Sequence, residues 1–181
     1  MTAGVSFIIS DGWDEQALLE LKERIGAYFL VGLQIDDDEF EHLDVVEGVV
    51  SCGSDEVNDV IRLLDVNFAS TLIAIDVVDI KSLFERGYSF QFIQACAKDE
   101  SESDLVKVAT QTLVSQLAKA HNTKGLFVGM EGVESPSLDT LSYISEAVEN
   151  ALSIDNEFIY YSASIIDEPN CFGLRAICAL E

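Results

Sequence analysis

GLFVGMEGVESPSLDTLSYISEAVENALSIDNEFIYYSASIIDEPNCFGLRAICAL, residues 125–180, is the stretch from which the fold can be read. Gly125–Met130 is a short apolar run bounded by glycine, the mark of a buried strand. Ser135-Pro136 reads as a helix start, because proline at the first helical position gives up no intrahelical hydrogen bond. Leu138, Leu141, Ile144, Val148 and Leu152 then recur at helical spacing and form one apolar stripe. Residues 157–167 and 172–180 read as two more strands. Glu168-Pro169-Asn170 has the composition of a tight turn, so these strands are expected to form a hairpin.

Toward the N-terminus, Tyr88, Phe90 and Phe92 alternate with Ser89 and Gln91, the period-two pattern of a half-buried strand. Ser101 with Asp104 resembles a capping box for a helix that carries Val106, Ala109, Leu113 and Leu117. Residues 77–86 read as a short helix stopped by Gly87. Before it, residues 5–10, 27–35, 45–52 and 71–75 read as strands, the last expected to close the first half. Asp11 is expected to cap a helix with Leu18, Leu21 and Ile25 on one face; Gly53-Ser54 opens another with Val57, Val60, Ile61 and Leu64. Strand–helix–strand–strand therefore occurs over residues 5–52 and again over 125–180, which raises an internal duplication. The expected fold is α/β (α+β), with two sheets of about four strands each covered by helices, or one fused sheet. A βαββαβ region would fill residues 1–75 and a second region residues 76–181.

Composition narrows the partners. Ten basic residues against 33 acidic ones give a net charge of −23. That field repels phosphate backbones and anionic lipid, so neither nucleic acid nor a membrane surface is an expected partner. No apolar run approaches the roughly 20 residues of a membrane-spanning helix, and the first residues lack a basic export signal. Cys52, Cys96, Cys171 and Cys178 form no C-x-x-C pair, and His42 and His121 stand far from them. Reduced core thiols fit a cytoplasmic protein, with no metal site expected.

Motifs with chemistry are few. Residues 36–42 are rich in acid, but the EF-hand spacing fails, because Phe40 and Glu41 occupy the fifth and sixth positions. A solvated acidic turn is the simpler reading. No G-x-S-x-G, P-loop or G-x-G-x-x-G is present. His42 among acids reads as a surface residue, and His121 as a residue just past a helix end. Tyr88, Phe90 and Phe92 are read as a strand face under a helix, since the net charge opposes base stacking. Trp13 is read as a staple onto the core.

From Val77 onward the order helix, strand, helix, strand, helix, two strands is similar to the C-terminal domain of FtsZ and, more distantly, of tubulin. The residues that carry the likeness run from about Thr71 to the C-terminus. Residues 72–80, LIAIDVVDI, look like the family's synergy loop, whose pattern is N-x-D-x-x-D. Gly125–Val128 resembles the strand before the family's Gly-rich turn, Ser137-Leu138-Asp139 its T-L-x-E helix start, Ile165–Glu168 its V-I-D-x corner and Leu174–Ile177 its closing strand. In the family the loop acids complete the neighbouring subunit's active site by polarising the attacking water. Asp76 and Asp79 keep that spacing, but Ala74 stands where the asparagine belongs. The alternative for these acids is structural: Asp76 caps the helix and Asp79 lies in its first turn.

The family's phosphate-cradling G-G-G-T-G-[ST]-G loop has no counterpart, since no segment here has three neighbouring glycines. The resemblance thus implies a C-terminal-domain-like chain without the GTP-binding domain, not an enzyme and without cofactor. Its role would be protein interaction, with a protein partner, by self-association, or on an FtsZ-type filament whose growth it modulates. The rival is a small metabolic enzyme or ligand-binding protein with a pocket between the halves, drawing on Asp76, Asp79, Glu131 and Arg175.

The acidity itself makes a prediction. Raising KCl from about 0.05 M to about 1 M shortens the screening length and relieves self-repulsion. The melting temperature followed by circular dichroism should therefore climb with salt; a flat or falling series contradicts this reading of the charge.

Overall fold

A continuous apolar run survives in water only where both its faces are covered, and Cys171–Ala179 is buried at every residue. The computed structural model places this strand inside a single eight-stranded sheet. It describes residues 4–9, 12–36, 43–66, 71–98, 101–120, 122–152 and 158–181. In chain order the elements are β1 Val5–Ile8, α1 Glu15–Ile25, β2 Phe29–Ile35, β3 Gly48–Cys52, α2 Val57–Leu63, β4 Thr71–Ile73, α3 Val77–Phe84, β5 Ser89–Lys98, α4 Glu102–Leu117, β6 Gly125–Gly132, α5 Leu138–Ala151, β7 Ile159–Ile165 and β8 Cys171–Ala179.

The strand order is β1-β2-β3-β5-β8-β6-β7-β4. β1, β2, β3 and β5 run parallel; β8 lies antiparallel to both β5 and β6; β7 is parallel to β6, and β4 antiparallel to β7. The helices cover both faces. On one, Ala109, Leu113 and Leu117 of α4 and Ile144 and Val148 of α5 pack on Ile93, Val128 and Leu174. Leu18 of α1 packs beside them on Leu30 and Val49. On the other, Val60 and Leu64 at α2 and Ile80, Leu83 and Phe84 of α3 pack on Val31, Val50, Phe90, Phe92 and Ile177. Strand alternation produces this division, since Leu30 and Val49 turn to the face opposite Val31 and Val50.

The α/β class and the fused-sheet alternative hold, and the two-sheet alternative does not. β5 bonds both β3 and β8 and so carries the sheet across the middle of the chain. The expected hairpin of the last two strands is also absent. β6 lies between β7 and β8, and residues 166–170 cross its end, where Ile166 N donates to Gly132 O at 2.9 Å. Asn170 takes the left-handed φ of 52° in this crossing, so the turn composition was read correctly but its span was not. β4 does not close the first half; it lies at the far edge, against β7.

The duplication fails at the same place. Both halves contain a parallel βαβ unit, β1-α1-β2 and β6-α5-β7. The third strand then pairs with β2 in the first half, whereas β8 pairs with the other side of β6 in the second. Likeness of apolar pattern does not fix which strands hydrogen-bond.

Helix starts shift by a few residues. Asp14 caps α1, accepting from Ala17 N at 2.8 Å, while Asp11 lies outside the described residues. Ser137, not the Ser135-Pro136 pair, caps α5, accepting from Thr140 N at 3.1 Å. The Ser101 hydroxyl bonds the Asp104 carboxylate rather than closing a full box onto the backbone of α4. Trp13 precedes the α1 cap and remains 37% exposed. Cys52, Cys171 and Cys178 are buried, Cys96 is exposed, and all four are free. Burial pushes the Cys178 thiol up to about 12 and the Cys52 thiol, with help from Glu56 and Asp36, up to about 11. His42, His121 and residues 37–41 fall outside the described residues. Among the described residues, no helix is long and apolar enough to cross a membrane.

Packing is tight where β3 begins. A Cβ at Gly48 would stand 2.5 Å from the Phe90 ring and 2.7 Å from that of Phe84, rings whose centroids are 4.3 Å apart. Gly48→Ala should cost about 1–3 kcal/mol through overpacking, seen as a lower urea midpoint at unchanged slope. A variant as stable as the parent would mean the two rings can part freely.

Candidate functional site

The synergy-loop-like segment lies between β4 and α3, and its two acids are held by their own backbone. Asp76 Oδ1 accepts from Val78 N at 2.7 Å and from Asp79 N at 3.0 Å. Asp79 Oδ2 accepts from Asp76 N at 3.1 Å, which completes a reciprocal capping box. Ile75 is buried, anchoring the loop to the core beneath, while Ala74 is exposed. Apolar side chains next to the box along the chain are exposed: Leu72 at 46%, Ile73 at 39% and Val78 at 65%. This corner carries exposed apolar side chains beside two acids held by capping. Ala74 contributes no polar group to it.

Glu131 and Arg175 do come together, in a charge cluster the sequence only half revealed. Arg175 stands mid-way along β8, opposite Gln94 of β5 and Gly129 of β6. One of its Nη atoms pairs with the Glu131 carboxylate, and Nη2 lies 3.1 Å from Asp59 Oδ1. Arg62 Nη2 reaches the same Asp59 oxygen at 3.1 Å and Glu131 Oε1 at 3.2 Å. Two guanidinium groups thus face two carboxylates, and the formal charges cancel. Burial pulls the Arg175 guanidinium down from its usual range, and Asp59 pushes it back up.

Gly129 leaves room for the helix side chains over β6: a Cβ there would meet Leu63 Cδ1 at 2.3 Å, so the Leu63 side chain could not keep its present place. Asp59 and Arg62, three apart on α2, flank its apolar stripe and were not singled out from the sequence. The available signal was a lone arginine within an apolar strand, which requires an acidic partner from whichever helix covers it.

Beside the cluster a cleft opens between the end of α2, β4 and the β6–β7 pair. Its walls include Arg62, Ala74, Ile75, Glu131, Ser162 and Ser164, and it encloses about 30 Å³. That is small beside the roughly 300–1,000 Å³ of a typical small-molecule pocket. The cleft joins Glu131 to the loop before Asp76, whereas Asp76 and Asp79 do not line it. The structure therefore brings Glu131 and Arg175 together and leaves the acid pair apart from them.

No protein-family model matches the chain, and no curated protein matches it. Solved structures do. The chain is similar to an empty FtsZ dimer from M. jannaschii, with 16% identity and a TM-score of 0.67 over 95% of this chain and 62% of that one. It is similar also to a tryptophan-to-tyrosine mutant of FtsZ from M. jannaschii, with 18% identity and a TM-score of 0.69 over 96% of this chain and 64% of that one. The chain has an FtsZ-like fold, and it spans less than two thirds of the FtsZ chains it matches. The superposition takes in nearly all of it, beyond the residues after Thr71 that carried the resemblance in sequence.

The cluster can be tested by unpairing it. Glu131→Gln and Arg175→Met each leave an opposite charge buried, so each should cost about 3–5 kcal/mol in urea unfolding. The double variant restores neutrality and should lose less than the sum of the two, by about 1 kcal/mol or more. Strict additivity would mean that the two groups do not act as a pair.

Proposed function

We propose that this chain is a non-enzymatic interaction or assembly module that docks through the β4–α3 corner. The observation that carries this reading is the exposed apolar surface of Leu72, Ile73 and Val78 around the Asp76–Asp79 box. Acids that cap a helix are poorly placed to polarise water as well, and the apolar side chains beside them suit a protein surface. The FtsZ-like fold, and a matched structure described as an FtsZ dimer, make an FtsZ-type subunit the first partner to try, with self-association next. On an FtsZ filament, a module docked through this corner would modulate growth.

The rival reading, an enzyme or ligand-binding protein with a site between the halves, would use the cleft at Glu131. The small volume of that cleft and its mutually neutralised charges favour docking over that reading.

The test is to add the chain to assembling M. jannaschii FtsZ while following sedimented polymer and GTP turnover. The proposal expects a dose-dependent change in both, abolished by Leu72→Asp with Val78→Asp; these exposed positions leave the fold intact. If polymer and turnover are unmoved by the parent chain, the filament reading is removed. If they are moved equally by parent and variant, the corner is not the docking surface.

A further inference from the structure

A second surface, on the opposite face of the sheet and independent of the corner, is built around a cavity of about 190 Å³ at the ends of β6 and α5. Its floor is apolar: Leu105 of α4 and Phe172 of β8 are 6% and 8% exposed. Two large apolar side chains are solvent-exposed at this end of the molecule, Val133 at 46% on the cavity wall and Leu138 at 81% in the first turn of α5. Exposing Leu138 costs the isolated chain solvation that a covering group would recover. The cavity is large enough for one bulky side chain of a partner.

Charge selects among occupants. The one charged residue lining the cavity is Glu134, among the described residues. The positive end of α5 would by itself attract an anion, but Asp139 already stands in its first turn, and Asp104 stands in the first turn of α4. A second copy of a chain of charge −23 would bring its own acid to the same place. An occupant with an apolar anchor and flanking positive charge satisfies both the floor and the rim.

We infer that this pocket receives a basic segment of a partner protein, seating one large apolar side chain on Leu105 and Phe172 with lysine or arginine beside Glu134 and Asp139. Ser135 supplies a hydroxyl along the wall for its backbone, while the Ser137 and Thr140 hydroxyls bond each other at 2.9 Å.

The experiment is ¹⁵N chemical-shift mapping on the full chain at about 0.5 M KCl, where long-range attraction to the acidic surface is screened. The probe is a short acetylated and amidated lysine peptide with a central phenylalanine. Its counterparts carry alanine at the centre, or glutamate in place of lysine. Shifts should concentrate at Val106, Val133 and Leu138, and removal of the phenylalanine should weaken binding about tenfold or more. Val133→Ser with Leu138→Ser, both exposed positions, should weaken binding comparably at an unchanged melting temperature. The inference is overturned if the lysine peptide does not bind, if binding ignores the anchor or the variants, or if the glutamate peptide binds as well. Concentration-dependent self-association through these residues, seen by sedimentation, would also overturn it by naming a second copy as the occupant.

Discussion

A guanidinium group in the middle of a fully buried strand is the constraint on which much of this molecule turns. Arg175 lies where β8 is covered on both faces and bonded on both edges, so its charge must be answered inside the protein. Glu131 on the adjacent strand and Asp59 on the covering helix answer it, and Arg62 balances the second carboxylate. This ties α2 to β6 beside Gly129, over which the Leu63 side chain lies. The position of α2 in turn bounds the cleft that runs to β4 and the loop before α3. A buried ion cluster of this kind adds little net stability, but losing one member is costly, so it acts as a positional lock.

The two candidate interaction surfaces lie at places that the lock leaves free. The β4–α3 corner joins a three-residue edge strand to a helix start whose acids are committed to capping. A short, irregular edge strand is a poor template for further sheet pairing, which leaves the exposed side chains rather than the backbone as the means of contact. The pocket near α5 combines an apolar floor with an acidic rim. Between them, the charge of −23 discourages indiscriminate association, and the apolar patches offer local sites where burial can outweigh it.

Much of the fold was legible because its signals are local. Apolar runs gave the strands, three-and-four spacing gave the helices, and Asp76 with Asp79 read more readily as a cap than as a catalytic pair. Strand order was not legible, because the partner of a strand is chosen by distant residues. The sequence of Glu168-Pro169-Asn170 describes a turn but not how many strands that turn crosses. The apolar run of residues 171–179, broken only by Arg175, did carry a hint, since the outer strand of a terminal hairpin often exposes one face. Ser135-Pro136 misplaced the start of α5 because Ser137 competes for the same role and makes the capping bond. At the site, Glu131 and Arg175 stood out as polar residues within apolar strands. Asp59 and Arg62 did not, because charges on a helix flank normally face water.

The charge cluster and the continuity of the sheet depend on β8 lying between β5 and β6, and backbone NOEs in a labelled sample address that directly. The account predicts cross-strand contacts from Arg175 to both Gln94 and Gly129, and from Ile177 to both Phe92 and Phe127. Contacts instead between β7 and β8, as in a hairpin closed at Pro169, would place Arg175 at a different position in the sheet and contradict it.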